Sequence, residues 1–273
     1  MNILLCGEGV TDVGERGEYD VKLGDYIWTE GSIPVIIRRI IQEHAATENN
    51  NGNIHFICYT VADIAREFRP KHIAGQRKRF ANGKKIDNTA FQHFEGHTAV
   101  AAGLIRRAKS DGKTFDIVGM FKDTDRETGA SNTPHEAQKK HESTKREILK
   151  GFEAEEVPLE KCFVAIPIRI LENWLLSDSA AIATVNKRGS TPNITEYPHP
   201  ETLWGKEEPG TNHPKILLAK ELKKCKCGNQ SHVEKCLVIV EHANLDRYKK
   251  KCPSFSEFYS DLMQAVQSYL SNS

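Results

Sequence analysis

Apolar residues in this chain follow two spacings. Short, nearly unbroken runs at Ile3-Leu4-Leu5-Cys6, Ile54-His55-Phe56-Ile57-Cys58-Tyr59, Ile117-Val118-Gly119-Met120-Phe121 and Phe163-Val164-Ala165-Ile166 are bounded by turn signals. Such runs read as strands buried on both faces. They predict strands over residues 2–6, 54–59, 115–122 and 161–168. Between them the apolar positions recur every three or four residues. Ile33, Ile36, Ile37, Ile40 and Ile41 share one face behind a capping Ser32 and a first-turn Pro34. Helices are likewise predicted over 98–109, with Arg106, Arg107 and Lys109 at its negative end, over 134–152, mostly solvent-facing, and over 171–185. Residues 7–31 read as a polar, Gly-rich connection, and 62–85 as basic and irregular. Residues 188–214 read as a long Pro/Gly/Thr loop, followed by helices over 216–224, 233–242 and 255–270.

Strands alternating with helices predict an α/β fold with a parallel sheet flanked by helices. The change in character after Lys187 divides the chain into a core of residues 1–187 and a loop plus C-terminal helical region of residues 188–273 packed on that core. The length, 273 residues, suits that division.

Composition narrows the class. Apolar content is 38% and mean hydropathy is -0.53, so a water-soluble protein is expected. The formal charge of +1 leaves no global basic field, and any nucleic-acid binding must come from local patches. No run approaches the ~20 apolar residues of a membrane span. The first apolar run meets Glu8 too early for a secretion signal. Seven cysteines are then expected to be reduced thiols in a cytoplasmic protein.

The chemistry sits where the apolar runs end. Glu8 follows the first run and lies between Gly7 and Gly9. Asp123 and Asp125 follow the third, and Glu172 follows the fourth. In open α/β sheets, ligands bind outside the carboxyl ends of the strands. Carboxylates gathered there repel one another and are commonly held together by a hard divalent cation. A magnesium or manganese site is therefore expected. The segment Gly7-Glu8-Gly9-Val10-Thr11-Asp12 is neither a phosphate-binding Walker loop nor a dinucleotide fingerprint. Its plain alternative is a turn with a capping Asp12. A phosphatase of the haloacid-dehalogenase type also carries Asp-x-Asp after a strand. There the motif lies on the first strand with Thr or Val two residues on, whereas here it lies on the third strand with Glu127.

A Glu after the first strand followed by Thr-Asp, then Asp-x-Asp after a later strand, resembles the TOPRIM domain of topoisomerases, primases and OLD-type nucleases. The resemblance extends to Glu172 with Trp174-Leu175-Leu176-Ser177-Asp178, to His213-Pro214-Lys215, and to Cys252-Pro253-Ser254-Phe255 with Phe258. In that order the motifs are similar to those of small stand-alone prokaryotic TOPRIM-like proteins, over residues 3 to about 262. The resemblance implies a TOPRIM-like core in which Glu8 is the metal-linked acid or general base and Asp123 and Asp125 bind Mg²⁺. Glu172 would complete a second metal position, and Lys215 would stabilise phosphate charge. It also implies a role in anti-phage defence and a partner ATPase.

Two further clusters carry expectations. Arg66, Arg69, Lys71, Arg77, Lys78 and Arg79, with Phe68 and Phe80 among them, can track a phosphate backbone and stack bases, or form a solvated loop. Cys225, Cys227, His232 and Cys236 resemble a shortened zinc knuckle, or are scattered thiols beside a helix. His93 and His97 read as turn residues. The chain is thus expected to be a Mg²⁺-dependent nuclease-like hydrolase acting on DNA or structured RNA. The alternatives are a non-catalytic module binding nucleic acid or a nucleotide for a partner, and a metal-dependent phosphatase.

Overall fold

A computed structural model of the chain describes residues 1–20, 25–48, 53–68, 96–124, 134–186, 191–203, 205–226 and 228–272. The strands are β1 (Asn2–Gly7), β2 (Gly14–Asp20), β3 (Asp25–Glu30), β4 (His55–Thr60), β5 (Ile117–Phe121) and β6 (Cys162–Ala165). The first seven helices are α1 (Val10–Val13), α2 (Ser32–Glu48), α3 (Val61–Phe68), α4 (Gly96–Ser110), α5 (Pro134–Glu153), α6 (Leu171–Leu175) and α7 (Ser179–Thr184). The last four are α8 (Pro214–Lys224), α9 (His232–His242), α10 (Leu245–Lys251) and α11 (Pro253–Asn272).

Four strands form one sheet in the order β4-β1-β5-β6, and every pairing is parallel. The protein is therefore α/β, with the four strands where the apolar runs predicted them. Alternating side chains go to opposite faces. Ile3, Leu5, Ile117, Phe121, Phe163 and Ala165 meet α2 and the helices from α6 onward. Leu4, Cys6, Val118, Met120, Cys162 and Val164 meet α3, α4 and α5. A sheet covered on both faces has no polar side, which is why its strands read as continuous apolar runs. The chain leaves β1 toward β4 through α2 on one face. It returns past β1 to β5 and β6 through α3, α4 and α5 on the other. This change of direction opens a crevice between the carboxyl ends of β1 and β5.

Three expectations need correction. The polar stretch after β1 is not a plain connection: it forms α1 and an antiparallel β2–β3 hairpin, tied down by Trp28 Nε1 donating to the Val13 carbonyl at 2.7 Å. The predicted helix over 171–185 is broken, because Asp178 accepts from the Ala180 and Ala181 amides as the cap of a new helix. Residues 61–68, which open the stretch read as irregular, form helix α3, whereas helix α5 does face solvent on most sides, with Ala137, His141, Thr144, Ile148 and Phe152 buried along one stripe. The C-terminal helices share one apolar cluster with the strands and α2, so they form a layer of the fold.

That layer explains several motif residues. Trp174 stacks on Phe258 at 5.6 Å and meets Phe255 edge-on at 5.1 Å. Its indole N–H donates to Ser254 Oγ at 2.9 Å and to Glu201 Oε1 at 3.1 Å. Glu201 is buried, and that burial pushes its carboxyl up. Asp178 also accepts from the Asn244 amide at 2.8 Å and from Arg247 at 2.9 Å. The Trp-Leu-Leu-x-Asp and Pro-Ser-Phe segments thus lock α6, α10 and α11 together.

Two predictions test this packing. A Cβ at Gly119 would lie 2.0 Å from the ring of Phe163, its register partner on β6. Gly119→Ala is expected to cost about 1–3 kcal/mol, the usual range for overpacking, read as a lower urea midpoint. Adding Phe163→Leu should recover part of the loss. The second concerns Glu257 on α11, which meets His141 Nε2 at 2.9 Å and Lys145 at 2.5 Å on α5. These contacts, His141 first, lower its carboxyl from 4.5 to about 2. A lowered folded-state pKa contributes stability that is complete above the unfolded value and disappears as pH falls through the folded one. The contribution is therefore present above pH 4.5 and lost toward about pH 2. It should stay under about 1 kcal/mol because Glu257 is substantially solvated. Denaturation of Glu257→Gln across this window should show a flatter acid limb than the wild type.

Candidate functional site

Glu8 is placed by a sharp turn off β1. Helix α1 folds back so closely that a Cβ at Gly7 would fall 2.4 Å from Val13 Cγ1, so glycine alone fits there. Asp12 closes the turn by accepting from the Gly9 amide at 3.0 Å. It is the capping residue expected of the plain reading, and it is also buried beside the crevice.

The segments after β5 and β6 are stitched to each other. The Lys122 amide donates to the Ala165 carbonyl at 3.1 Å and the Thr124 amide to the Arg169 carbonyl at 2.8 Å. In return the Arg169 amide donates to Thr124 Oγ1 at 2.9 Å. The Leu171 amide then donates to Asp123 Oδ1 at 3.1 Å, which fixes that carboxylate one residue from Glu172. Arg169 takes a left-handed backbone, with φ of 82°, a conformation costly for a side-chain-bearing residue. Its guanidinium holds the carbonyls of Leu203 and Gly205 at 3.0 and 3.1 Å.

Glu8, Asp12, Asp123 and Glu172 converge here. Burial holds the Asp123 carboxyl well above the usual carboxylate range. The negative charges of Asp12, Glu172 and Glu8 add to that shift, and Lys122 opposes it. The Lys122 ammonium donates to Glu8 Oε1 and to the Asp123 carbonyl at 2.9 Å. Against the C-terminal layer, His232 Nε2 lies 3.5 Å from Glu172 Oε1 and 3.5 Å from Cys236 Sγ. The Cys236 thiol is fully buried. Burial first, then Glu172 and Asp12, push its pKa up, so it is a poor thiolate nucleophile.

The structure thus gathers Glu8, Asp123 and Glu172 and adds Asp12, Lys122 and His232. Asp125 lies outside the described residues, as do Arg69, Lys71, Arg77, Lys78, Arg79 and Cys227. Arg66 falls in α3, where only its backbone is described. Lys215 is half-exposed and pairs with Glu207 at 2.9 Å. The cysteine cluster is divided: Cys225 Sγ faces the carbonyls of Ile182 at 3.5 Å and Glu221 at 3.8 Å, whereas His232 and Cys236 face Glu172. His97 is a buried residue of α4. Among the described residues, no three His, Cys, Asp or Glu side chains already form a cage around one metal position. The donor chemistry nevertheless suits a hard divalent cation, because several carboxylates share a buried crevice with one resident ammonium.

The fold and crevice define an α/β protein with an acidic centre at a topological switch point. Residues 33–263 match the family described as Domain of unknown function (DUF4276). The chain belongs to that family. Searches of curated proteins and of solved structures return no match. Among the described residues, no helix is long and apolar enough to cross a membrane.

The electrostatics make a prediction without metal. Asp123→Asn keeps an acceptor for the Leu171 amide and removes one of four crowded carboxylates. The metal-free variant should melt a few degrees above the wild type, given ~2–4 °C per kcal/mol for chains of this size. Added Mg²⁺ should narrow or reverse the gap, read by calorimetry with and without EDTA.

Proposed function

We propose that this protein is a Mg²⁺-dependent, nuclease-like phosphodiesterase with a TOPRIM-like core. The observation that carries this reading is the convergence of Glu8 after the first parallel strand, Asp123 after the third and Glu172 after the fourth on one crevice. The order of these acids along the sheet supports the TOPRIM likeness. The third-strand position of Asp123 weighs against a dehalogenase-type phosphatase.

A bound Mg²⁺ or Mn²⁺ supplies Lewis acidity that activates water and offsets charge on the leaving oxygen. Asp123, Glu172 and Asp12 would hold it, with Asp125 as a further donor. Asp123 is pre-aimed by the Leu171 amide, so little reorganisation is needed on binding. Glu8, held by Lys122, is the base that takes a proton from the attacking water. Lys215 is exposed enough to meet a substrate phosphate, and Arg66, Arg69, Lys71, Arg77, Lys78 and Arg79 supply backbone contacts. The substrate class is nucleic acid, DNA first and structured RNA second. The TOPRIM resemblance further points to anti-phage defence beside a partner ATPase.

Supercoiled plasmid and bulk tRNA incubated with the protein and Mg²⁺, Mn²⁺ or EDTA test this reading. Metal-dependent cutting is expected, with Glu8→Gln, Asp123→Asn and Glu172→Gln each losing about 10²–10⁴-fold, the usual scale for acid–base and metal-linked groups. Nucleic-acid binding without cutting, by folded protein supplied with metal and partner, would replace the nuclease with a binding module.

A further inference from the structure

We infer that Lys122 is a built-in counter-cation: it holds Glu8 apart from the metal and keeps the affinity of the acidic crevice for divalent cations low. The inference rests on the metal-site reading above and adds to it a residue that sets how tightly the metal binds.

Position comes first. Lys122 directly follows β5, and its amide is bonded to Ala165 on the neighbouring β6, so the sheet fixes its backbone. Its side chain is 8% exposed, and that of its partner Glu8 is 14% exposed. An ammonium in such a place cannot reach solvent without leaving Glu8 as a nearly buried, unpaired carboxylate, which is costly. The second acceptor of the ammonium is the Asp123 carbonyl, a neutral group that does not depart when a metal arrives. Lys122 is therefore held in the crevice by its backbone and by two acceptors.

Charge comes second. Glu8, Asp12, Asp123 and Glu172 carry four negative charges when ionised, and Lys122 carries one positive charge. The ammonium engages Glu8, leaving Asp12, Asp123 and Glu172 on the side of the C-terminal layer, where Glu172 also meets His232. A fixed positive charge a few ångströms from a cation position weakens cation binding. The same ion pair fixes where the Glu8 carboxylate stands. Lys122 is thus a positioning residue whose removal should separate metal affinity from turnover.

Calorimetric titration of metal-free protein with Mg²⁺ and with Mn²⁺ tests the inference, using wild type, Lys122→Arg, Lys122→Gln and Lys122→Met. Melting curves establish that each variant is folded. Lys122→Met keeps the aliphatic stem, so it provides a second neutral variant should the glutamine variant misfold. Loss of the ammonium should tighten binding by about tenfold, the order expected when a unit charge is removed from beside a partly buried site. Lys122→Arg should stay close to wild type. Hydrolysis by the neutral variants should fall while their metal affinity rises, a split that a merely structural lysine would not produce. Metal bound by wild type with equal or weaker affinity in both neutral variants overturns the role of Lys122 and leaves the metal site standing. No metal bound by wild type or by any variant overturns the site itself, and the inference with it.

Discussion

The candidate centre depends on a short set of hydrogen bonds between two loops. Parallel strands deliver their carboxyl ends to one edge of the sheet, but they do not aim the residues beyond. That is done by the exchange between Thr124 and Arg169 and by the Leu171 amide on Asp123. These bonds join the segment after β5 to the segment after β6. As a result, an acid more than forty positions along the chain comes to lie beside Asp123. The left-handed backbone of Arg169 belongs to the same construction. Its strain is offset by the bonds its own amide and guanidinium make, and it turns the chain so that Leu171 can face Asp123.

This arrangement has an electrostatic cost that the fold has to carry. Burial and three neighbouring carboxylates all raise the Asp123 carboxyl, and Lys122 is set against them. The stitching bonds hold the acids together against their repulsion, so the fold stores a bias toward cations. Lys122 limits that bias. The four parallel strands, buried on both apolar faces, are the frame that carries these segments.

Much of this was legible from residue order alone, for a physical reason. Strands covered on both faces must be apolar throughout, so Glu8, Asp123 and Glu172 stood out as the first acids after such runs. Lys122 was hidden by the same rule, because a lysine closing an apolar strand ordinarily marks the start of solvent. No local signal tells whether it turns outward or back toward Glu8. The β2–β3 hairpin was missed because Gly-Glu-Arg-Gly-Glu-Tyr-Asp has no apolar alternation, and only Tyr19, Tyr26 and Trp28 hint at strands. Helix α10 was missed because seven residues with three lysines have no periodicity, although Asn244 caps it. His232 was noticed for its spacing to cysteines, and in three dimensions it meets both Cys236 and Glu172.

The position of His232 ties the crevice to the C-terminal layer. Helix α9 packs in the same apolar cluster as α2 and the strands, and its first residue is the one that reaches Glu172. The same layer is pinned through Trp174 to Ser254 and Glu201, and through Asp178 to Asn244 and Arg247. Trp174 and Asp178 lie two and six residues past Glu172 in the chain, so any loosening of that packing moves Glu172 itself. The Trp-Leu-Leu-x-Asp and Pro-Ser-Phe segments therefore act on the site mechanically. Their side chains do not enter the crevice, yet they set where its last carboxylate stands. The C-terminal helices are thereby part of the crevice's support.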